Sequence, residues 1–166
     1  MTAPASADEY EARFQQALEQ YRAGRLDEAI AMLAALSDQH PDDPRLLLVY
    51  ATAALRCGDR ERGIALLGRV VELQPDNAVA HYQLGVALDE ARRTGEALSS
   101  YERAIGAKPD FAEAHNNRGV ALKALGRPDE ALASFERASG CRRPCSPTIG
   151  RSASNPALPR RTAIAA

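Results

Sequence analysis

The 166-residue chain has no tryptophan, and aromatic residues are 5% of it. Alanine is about a fifth of the residues. So little aromatic surface with so much alanine argues against a β-sandwich and for closely packed helices. Three cysteines are too few and too odd for a disulfide framework, and a reducing, cytoplasmic setting is the expectation. No apolar run is long enough to span a membrane. Met1 to Asp8 offers neither a basic stretch nor an apolar core, so no secretory signal is read there. Lysine is nearly absent: Lys108 and Lys123 are the only two among 21 basic residues. That bias fits a GC-rich genome better than a nucleic-acid surface.

The charge that is present is unevenly placed. Residues 1–138 hold 16 Lys+Arg against 22 Asp+Glu, a net of −6. Residues 139–166 hold five arginines (Arg142, Arg143, Arg151, Arg160, Arg161) and no acid. The overall −1 thus joins two dissimilar segments.

Against this composition stands a strict period. Prolines fall at 41, 75 and 109, and glycines at 24, 58 and 126 with Arg92 in the skipped slot. Small residues recur at Ala29, Gly63, Ala97 and Ala131, and large apolar ones at Leu33, Leu67, Tyr101 and Phe135. Two further columns are Leu36, Val70, Ala104, Ala138 and Ala17, Ala51, Gly85, Gly119. All share a spacing of 34, which divides the chain into a leader, 1–9, and units 10–43, 44–77, 78–111 and 112–139.

These columns resemble the tetratricopeptide repeat pattern. The third unit matches best, through His81, Leu84, Gly85, Leu88, Ala97, Tyr101, Ala104 and Pro109. The fourth follows with His115, Gly119, Leu122, Ala131, Phe135 and Ala138, but Arg118 takes the usual leucine slot. The first two units carry Ala17 and Ala51 for glycine, and Leu33 and Leu67 for the aromatic. The resemblance implies an all-α, right-handed superhelical solenoid of about four helix-turn-helix repeats. First helices would line a concave side and second helices a convex one.

The residues agree without the family name. Leu84, Leu88 and Ala91 share one helical face, and Leu98, Tyr101 and Ile105 share another. Gly24, Gly58 and Gly126 sit where first helices must stop and turn. Pro41, Pro75 and Pro109 mark the ends of second helices. Asp43-Pro44, Asp76-Asn77 and Asp110 read as N-cap signals. Eight helices are expected, near 8–22, 26–39, 44–57, 60–73, 78–91, 94–107, 112–125 and 128–139. Gly85 and Ala97 are expected to face each other across a pair.

The pattern breaks after Ala138. Residues 140–166 are rich in Arg and Pro and lack any helical period. Two readings stand: a disordered tail, or a stretch translated out of frame, since register fails in mid-helix. The last helix would then expose an apolar face around Leu132 and Phe135 and self-associate weakly.

No catalytic constellation is visible. There is no phosphate loop and no nucleophile-elbow serine. His81 and His115 occupy the same repeat slot, so a packing role outweighs a ligand or base role. His40 reads as exposed, and Cys57 as a partly buried small residue. Cys141 and Cys145 lack the further ligands of a structural zinc site. No cofactor and no metal are expected. An Arg-rich segment without aromatics, on an acidic array, makes a poor nucleic-acid binder.

The resemblance assigns a partner groove to repeat positions 2, 5, 9, 12 and 13 of the first helices. Carried over, these are Glu11, Phe14, Leu18, Tyr21 and Arg22; Arg45, Leu48, Thr52, Leu55 and Arg56; Val79, Tyr82, Val86, Asp89 and Glu90; and Glu113, Asn116, Val120, Lys123 and Ala124. Asn117, at position 6, joins them. This apolar and mixed-charge surface suits a protein or peptide segment, extended or helical. The carboxylate clamp of chaperone adaptors is absent, because Phe14/Leu18 and Leu48/Thr52 stand where Lys/Asn is needed. The position-6 column is Gln15, Val49, Gln83 and Asn117, so likeness to arrays on protein O-GlcNAc transferases is partial. The sequence thus implies a non-catalytic bacterial scaffold for protein–protein contact. The competing reading is the N-terminal substrate-docking array of a glycosyltransferase or sulfotransferase lacking its catalytic domain.

Overall fold

The computed structural model describes residues 7–141. Its elements are α1 (Ala7–Arg22), α2 (Leu26–Gln39), α3 (Pro44–Arg56), α4 (Arg60–Leu73), α5 (Ala78–Glu90), α6 (Thr94–Ala107), α7 (Ala112–Ala124) and α8 (Pro128–Cys141). Among the described residues there is no strand. The expected bounds hold to within two residues. α1 begins inside the expected leader, and α8 runs two residues past Ser139. The rest of the expected tail, with Cys145, lies outside the described residues. Consecutive helices pair as α1–α2, α3–α4, α5–α6 and α7–α8, and each pair packs on the next. The result is an all-α solenoid.

Within each pair the turn is set by one left-handed residue. Gly24, Gly58 and Gly126 have φ of +77°, +86° and +75°. Each donates its N–H three residues back, and the next residue donates five back, as in Gly58 to Leu55 O and Asp59 to Ala54 O. This Schellman closure satisfies carbonyls that would otherwise end unpaired. Arg92 fills the same slot in the third pair at φ +64°, with the same two bonds from Arg92 to Asp89 O and Arg93 to Leu88 O. The fold imposes the conformation even where the residue type disfavours it.

Between pairs the caps differ. Asp43 accepts from the N–H groups of Arg45 and Leu46, and Asn77 from that of Ala80. Asp110 does not cap α7: Phe111 holds the N-cap position and no side chain accepts there. The Phe111 ring instead packs 4.9 Å from Tyr82 and under Lys108. An apolar contact takes the place of a hydrogen bond. His81 and His115 are 2% and 3% exposed. Their Nε2 atoms lie 2.8 and 2.9 Å from the carbonyl oxygens of Pro75 and Pro109, so each ties its helix to the preceding turn. Cys57, expected to be partly buried, is exposed at the end of α3. His40 is half-buried against the Tyr10 ring, 4.3 Å away, and not exposed.

The close approach within a pair rests on size matching. A Cβ on Gly85 would lie 2.5 Å from Cε1 of Tyr101, and one on Gly119 would lie 2.6 Å from Cε1 of Phe135. Gly85 therefore faces the Tyr101 ring, not Ala97 as the spacing suggested. The first two pairs divide the same space differently, with a larger small residue and a smaller large one: Ala17 with Leu33 and Ala51 with Leu67, all fully buried. Gly63 shows the same rule in another column, since a Cβ there would meet Leu55 at 2.5 Å.

Arg118, in the leucine slot, is also accounted for. Its Nε and Nη2 donate to Glu102 Oε1 at 3.2 and 3.1 Å, and its Nη1 donates to Ser134 Oγ at 2.6 Å. The equivalent pair one repeat earlier is Leu84 and Gly68. An ion pair thus joins the last two repeats at positions that carry no charge one repeat earlier.

Two outcomes follow. Gly85→Ala should destabilise the parent by ~1–3 kcal/mol of overpacking, less the helix propensity it gains, yet stabilise a Tyr101→Leu background by up to ~1 kcal/mol. Denaturant melts of the four-protein cycle would show that change of sign. Arg92→Gly should raise stability by ~1 kcal/mol, because glycine adopts this φ without a Cβ penalty. A drop in melting temperature for Arg92→Gly would refute that account.

Candidate functional site

The groove positions lie on α1, α3, α5 and α7, and their environments sort into three groups. Phe14 is buried at 4% exposure and cannot serve as an open contact. The Arg45 guanidinium sits 5.3 Å from its ring centroid, and the Tyr10 ring lies parallel to it with centroids 6.0 Å apart. Leu18, Tyr21, Leu48, Thr52, Tyr82, Val86, Asp89 and Asn117 are half-buried. Arg22, Arg45, Arg56, Val79, Glu90, Asn116, Val120 and Lys123 are exposed. Val79 and Val120 are 50% and 48% exposed, which leaves apolar surface on the first helices of the last two repeats.

Neighbouring repeats are stitched along these columns. Arg45 donates to Glu11 at 3.0 Å while covering Phe14. Arg56 lies 4.9 Å over the Tyr21 ring. Asn117 Nδ2 donates to the Tyr82 hydroxyl at 3.3 Å, and Tyr82 tilts against Phe111 and Tyr101. Cation–π contacts of this kind are worth ~0.5–1 kcal/mol when exposed. They also hold the rings in fixed poses, which lowers the entropy lost on binding a partner. Two members are occupied internally: Thr52 Oγ1 donates to Leu48 O at 2.8 Å, and Asp89 accepts from Thr94 Oγ1 at 3.1 Å. Glu90 reaches Arg60 at 3.9 Å. Arg22, Glu113 and Lys123 make no such contact among the described residues.

Sequence reasoning missed the cluster that closes the first inter-repeat step. The Tyr10 hydroxyl donates to Asp43, the residue that caps α3. Burial, and then this bond to a carboxylate, push the Tyr10 hydroxyl up to about 12. Tyr10 sits at the first position of the repeat frame, where no groove or core column flagged it. A Tyr and an Asp 33 residues apart, each next to a repeat boundary, were the available signal. Glu11 is held below the usual carboxylate range by hydrogen bonds from Gln15 and Arg45.

Tyr101 is affected more simply. Burial pushes its hydroxyl up to about 12, and the Asp89 carboxylate adds to this. Both tyrosines therefore favour the neutral form in the folded chain. Their contribution is complete below about pH 10 and is lost as pH rises toward 12. Tyr101→Phe should make the alkaline fall in melting temperature shallower by up to one proton's worth. An unchanged slope between pH 10 and 12 would show that Tyr101 is not linked to unfolding.

Among the described residues no group of three or more His, Cys, Asp or Glu is placed to hold a metal ion. Nor is any helix long and apolar enough to cross a membrane.

Comparison with known proteins agrees with this architecture. No curated protein matches the sequence. Among solved structures, a crystal structure of MamA superposes with a TM-score of 0.78 at 24% identity, covering 82% of this chain and 80% of that one. A second MamA structure, from AMB-1, gives 0.75 at 26% identity over 81% and 75%. Two tetratricopeptide repeat models match residues 20–87 and 82–143. With the 34-residue columns, the left-handed turns and these two matches in agreement, the chain belongs to the tetratricopeptide repeat family.

Proposed function

We propose that the chain is a non-catalytic scaffold that holds a protein partner, as an extended or helical peptide segment, on the face formed by α1, α3, α5 and α7. The observation that carries this is the half-buried row Leu18, Leu48, Tyr82 and Val86, flanked by the exposed Val79 and Val120 and by charges of both signs. Fixed rings beside open apolar surface are what a binding hot spot needs. The groove charges are uneven along the array: Arg22, Arg45 and Arg56 stand against Glu11 in the first two repeats, and Asp89, Glu90 and Glu113 against Lys123 in the last two. A segment with one acidic and one basic end fits that polarity.

The docking-array reading is less favoured. Asn117 is the single Asn of its column, and its amide is spent on the Tyr82 hydroxyl instead of being free to hold a passing chain. The face of α8 supplies a second contact surface. With Leu132 61% exposed, weak self-association at that end belongs to the same reading.

Tyr82→Ala should weaken partner binding by about tenfold or more, since it removes the ring and strands Asn117. Asp89→Lys should mainly alter the salt dependence of the association rate. Titration calorimetry and stopped-flow mixing with a partner recovered by cross-linking would measure both. Binding by the two variants indistinguishable from the parent would remove this face from the interaction.

A further inference from the structure

An open hollow of about 340 Å³ lies between α4 and α6, with α5 behind it. Ile64, Val71, Leu84 and Leu88 give it an apolar wall, and Arg93, Glu96 and Arg103 a polar one. None of these residues belongs to the groove positions. Val71 and Leu84 are only half-buried, so apolar surface remains open inside it. Gly68 widens the space: a Cβ built there would meet no atom within 4 Å. Of the charged groups, Arg93 and Glu96 are spent on each other, with Nε and Nη2 donating to the two carboxylate oxygens at 2.7 and 2.8 Å. Arg103 is exposed and makes no ion pair or hydrogen bond among the described residues. The polar wall therefore holds one uncompensated charge, a guanidinium.

The other two steps use the same columns differently. At the first, Tyr50 stands where Leu84 does and is 7% exposed. Arg69, the counterpart of Arg103, is bound there to Asp42 and Glu72 at 2.7 and 3.0 Å. At the last, Glu102 stands for Gly68 and Arg118 for Leu84, and the hollow is lined by that ion pair. Among the described residues the middle step alone combines an apolar wall, a residue without a side chain and an unspent guanidinium.

We propose that the hollow between α4 and α6 is a second docking site, for a protein segment that presents one apolar side chain with an acidic residue next to it. The apolar side chain enters beside Gly68 and lies against Val71 and Leu84. The neighbouring carboxylate meets the Arg103 guanidinium. Charge selects the acid, because Arg93 and Glu96 already neutralise each other and a carboxylate is what Arg103 lacks. Shape selects a segment over a free small molecule. A free ligand is held by burying most of its surface, which an open hollow does not provide. A side chain needs only one covered face, since its own chain carries it to the site and spans the rim.

The probe is a capped hexapeptide, acetyl-Gly-Ser-Leu-Glu-Ser-Gly-amide, titrated into the full chain and followed by methyl NMR. It should shift the Val71 and Leu84 methyl signals and saturate on the order of 1 mM, as one anchor and one ion pair allow. Leu replaced by Ala in the peptide should abolish saturation, and Glu replaced by Gln should weaken binding about two- to fivefold. Gly68→Leu should weaken it by about tenfold or more, with a melting temperature equal to or above the parent's, because the new Cβ meets no atom and helix propensity improves. Arg103→Gln should weaken the Glu peptide about two- to fivefold and leave the Gln peptide unaffected. Tyr82→Ala, which strips the groove, should leave both unaffected. Should Gly68→Leu lose helicity, the Arg103→Gln comparison decides. No shift at Val71 and Leu84, or equal binding by parent, Gly68→Leu and Arg103→Gln, overturns the site. Loss of binding in Tyr82→Ala moves the peptide to the groove and overturns it too. Sodium octanoate saturating these methyls where the peptide does not would mark a site for small acids and overturn the docking of a segment.

Discussion

The distance between the two helices of a pair is the quantity on which the rest of this structure depends. Each pair is closed by a small residue on the first helix meeting a large one on the second, and the sum of the two sizes is nearly conserved while its division is not. Glycine meets Tyr101 or Phe135 in the last two pairs; alanine meets Leu33 or Leu67 in the first two. Packing at interior density leaves no room for the wrong combination. Once that spacing is set, the left-handed turn residue fixes the angle of return, and the outer faces of both helices become available for the next pair. Tyr101 then serves two layers, because the ring seated on Gly85 also meets Tyr82 on the first-helix face. A change at Gly85 would be felt where a partner is held.

Stacking of pairs, in contrast, tolerates different chemistry at each step. Tyr10 and Asp43 close the first step with a hydrogen bond, His81 and His115 close the later ones through proline carbonyls, and Arg118 and Glu102 add an ion pair to the last. In an array whose units touch only their neighbours, each step can diverge without disturbing the others. That independence explains why the intra-pair columns are regular in sequence and the inter-pair contacts are not.

The legibility of the fold in the sequence follows the same division. Helix positions were readable because the period is carried by size and by backbone demand. Gly24, Gly58 and Gly126 stand where φ is positive, and the prolines stand just past each second helix. Even Arg92 was flagged as the odd residue in a glycine column, though nothing in its type revealed that it adopts the glycine conformation. What the columns did not reveal were contacts made by pairs of residues from different columns. Phe14 looked like an open groove residue, because its position says nothing of the Arg45 that lies over it from the next repeat. Asp110 looked like a cap, because its type is right, but Phe111 found an apolar partner in Tyr82. The facing of Gly85 by Tyr101 instead of Ala97 is a matter of where along the helix a long side chain reaches, which spacing alone does not encode.

The bare face at Leu132 has a consequence for how the molecule comes apart. A chain of units held only by nearest-neighbour contacts behaves as a one-dimensional lattice, in which a unit at an uncovered boundary is the cheapest to melt. Here the boundary at α1 shows Ala12 beside Arg13 and Gln16, whereas the boundary at α8 shows a large apolar side chain, Leu132, 61% exposed between Asp129 and Glu136. Unfolding therefore has a direction. The array unzips from α8 inward, and the contacts around Leu46 and Leu67, covered on both sides, give way last.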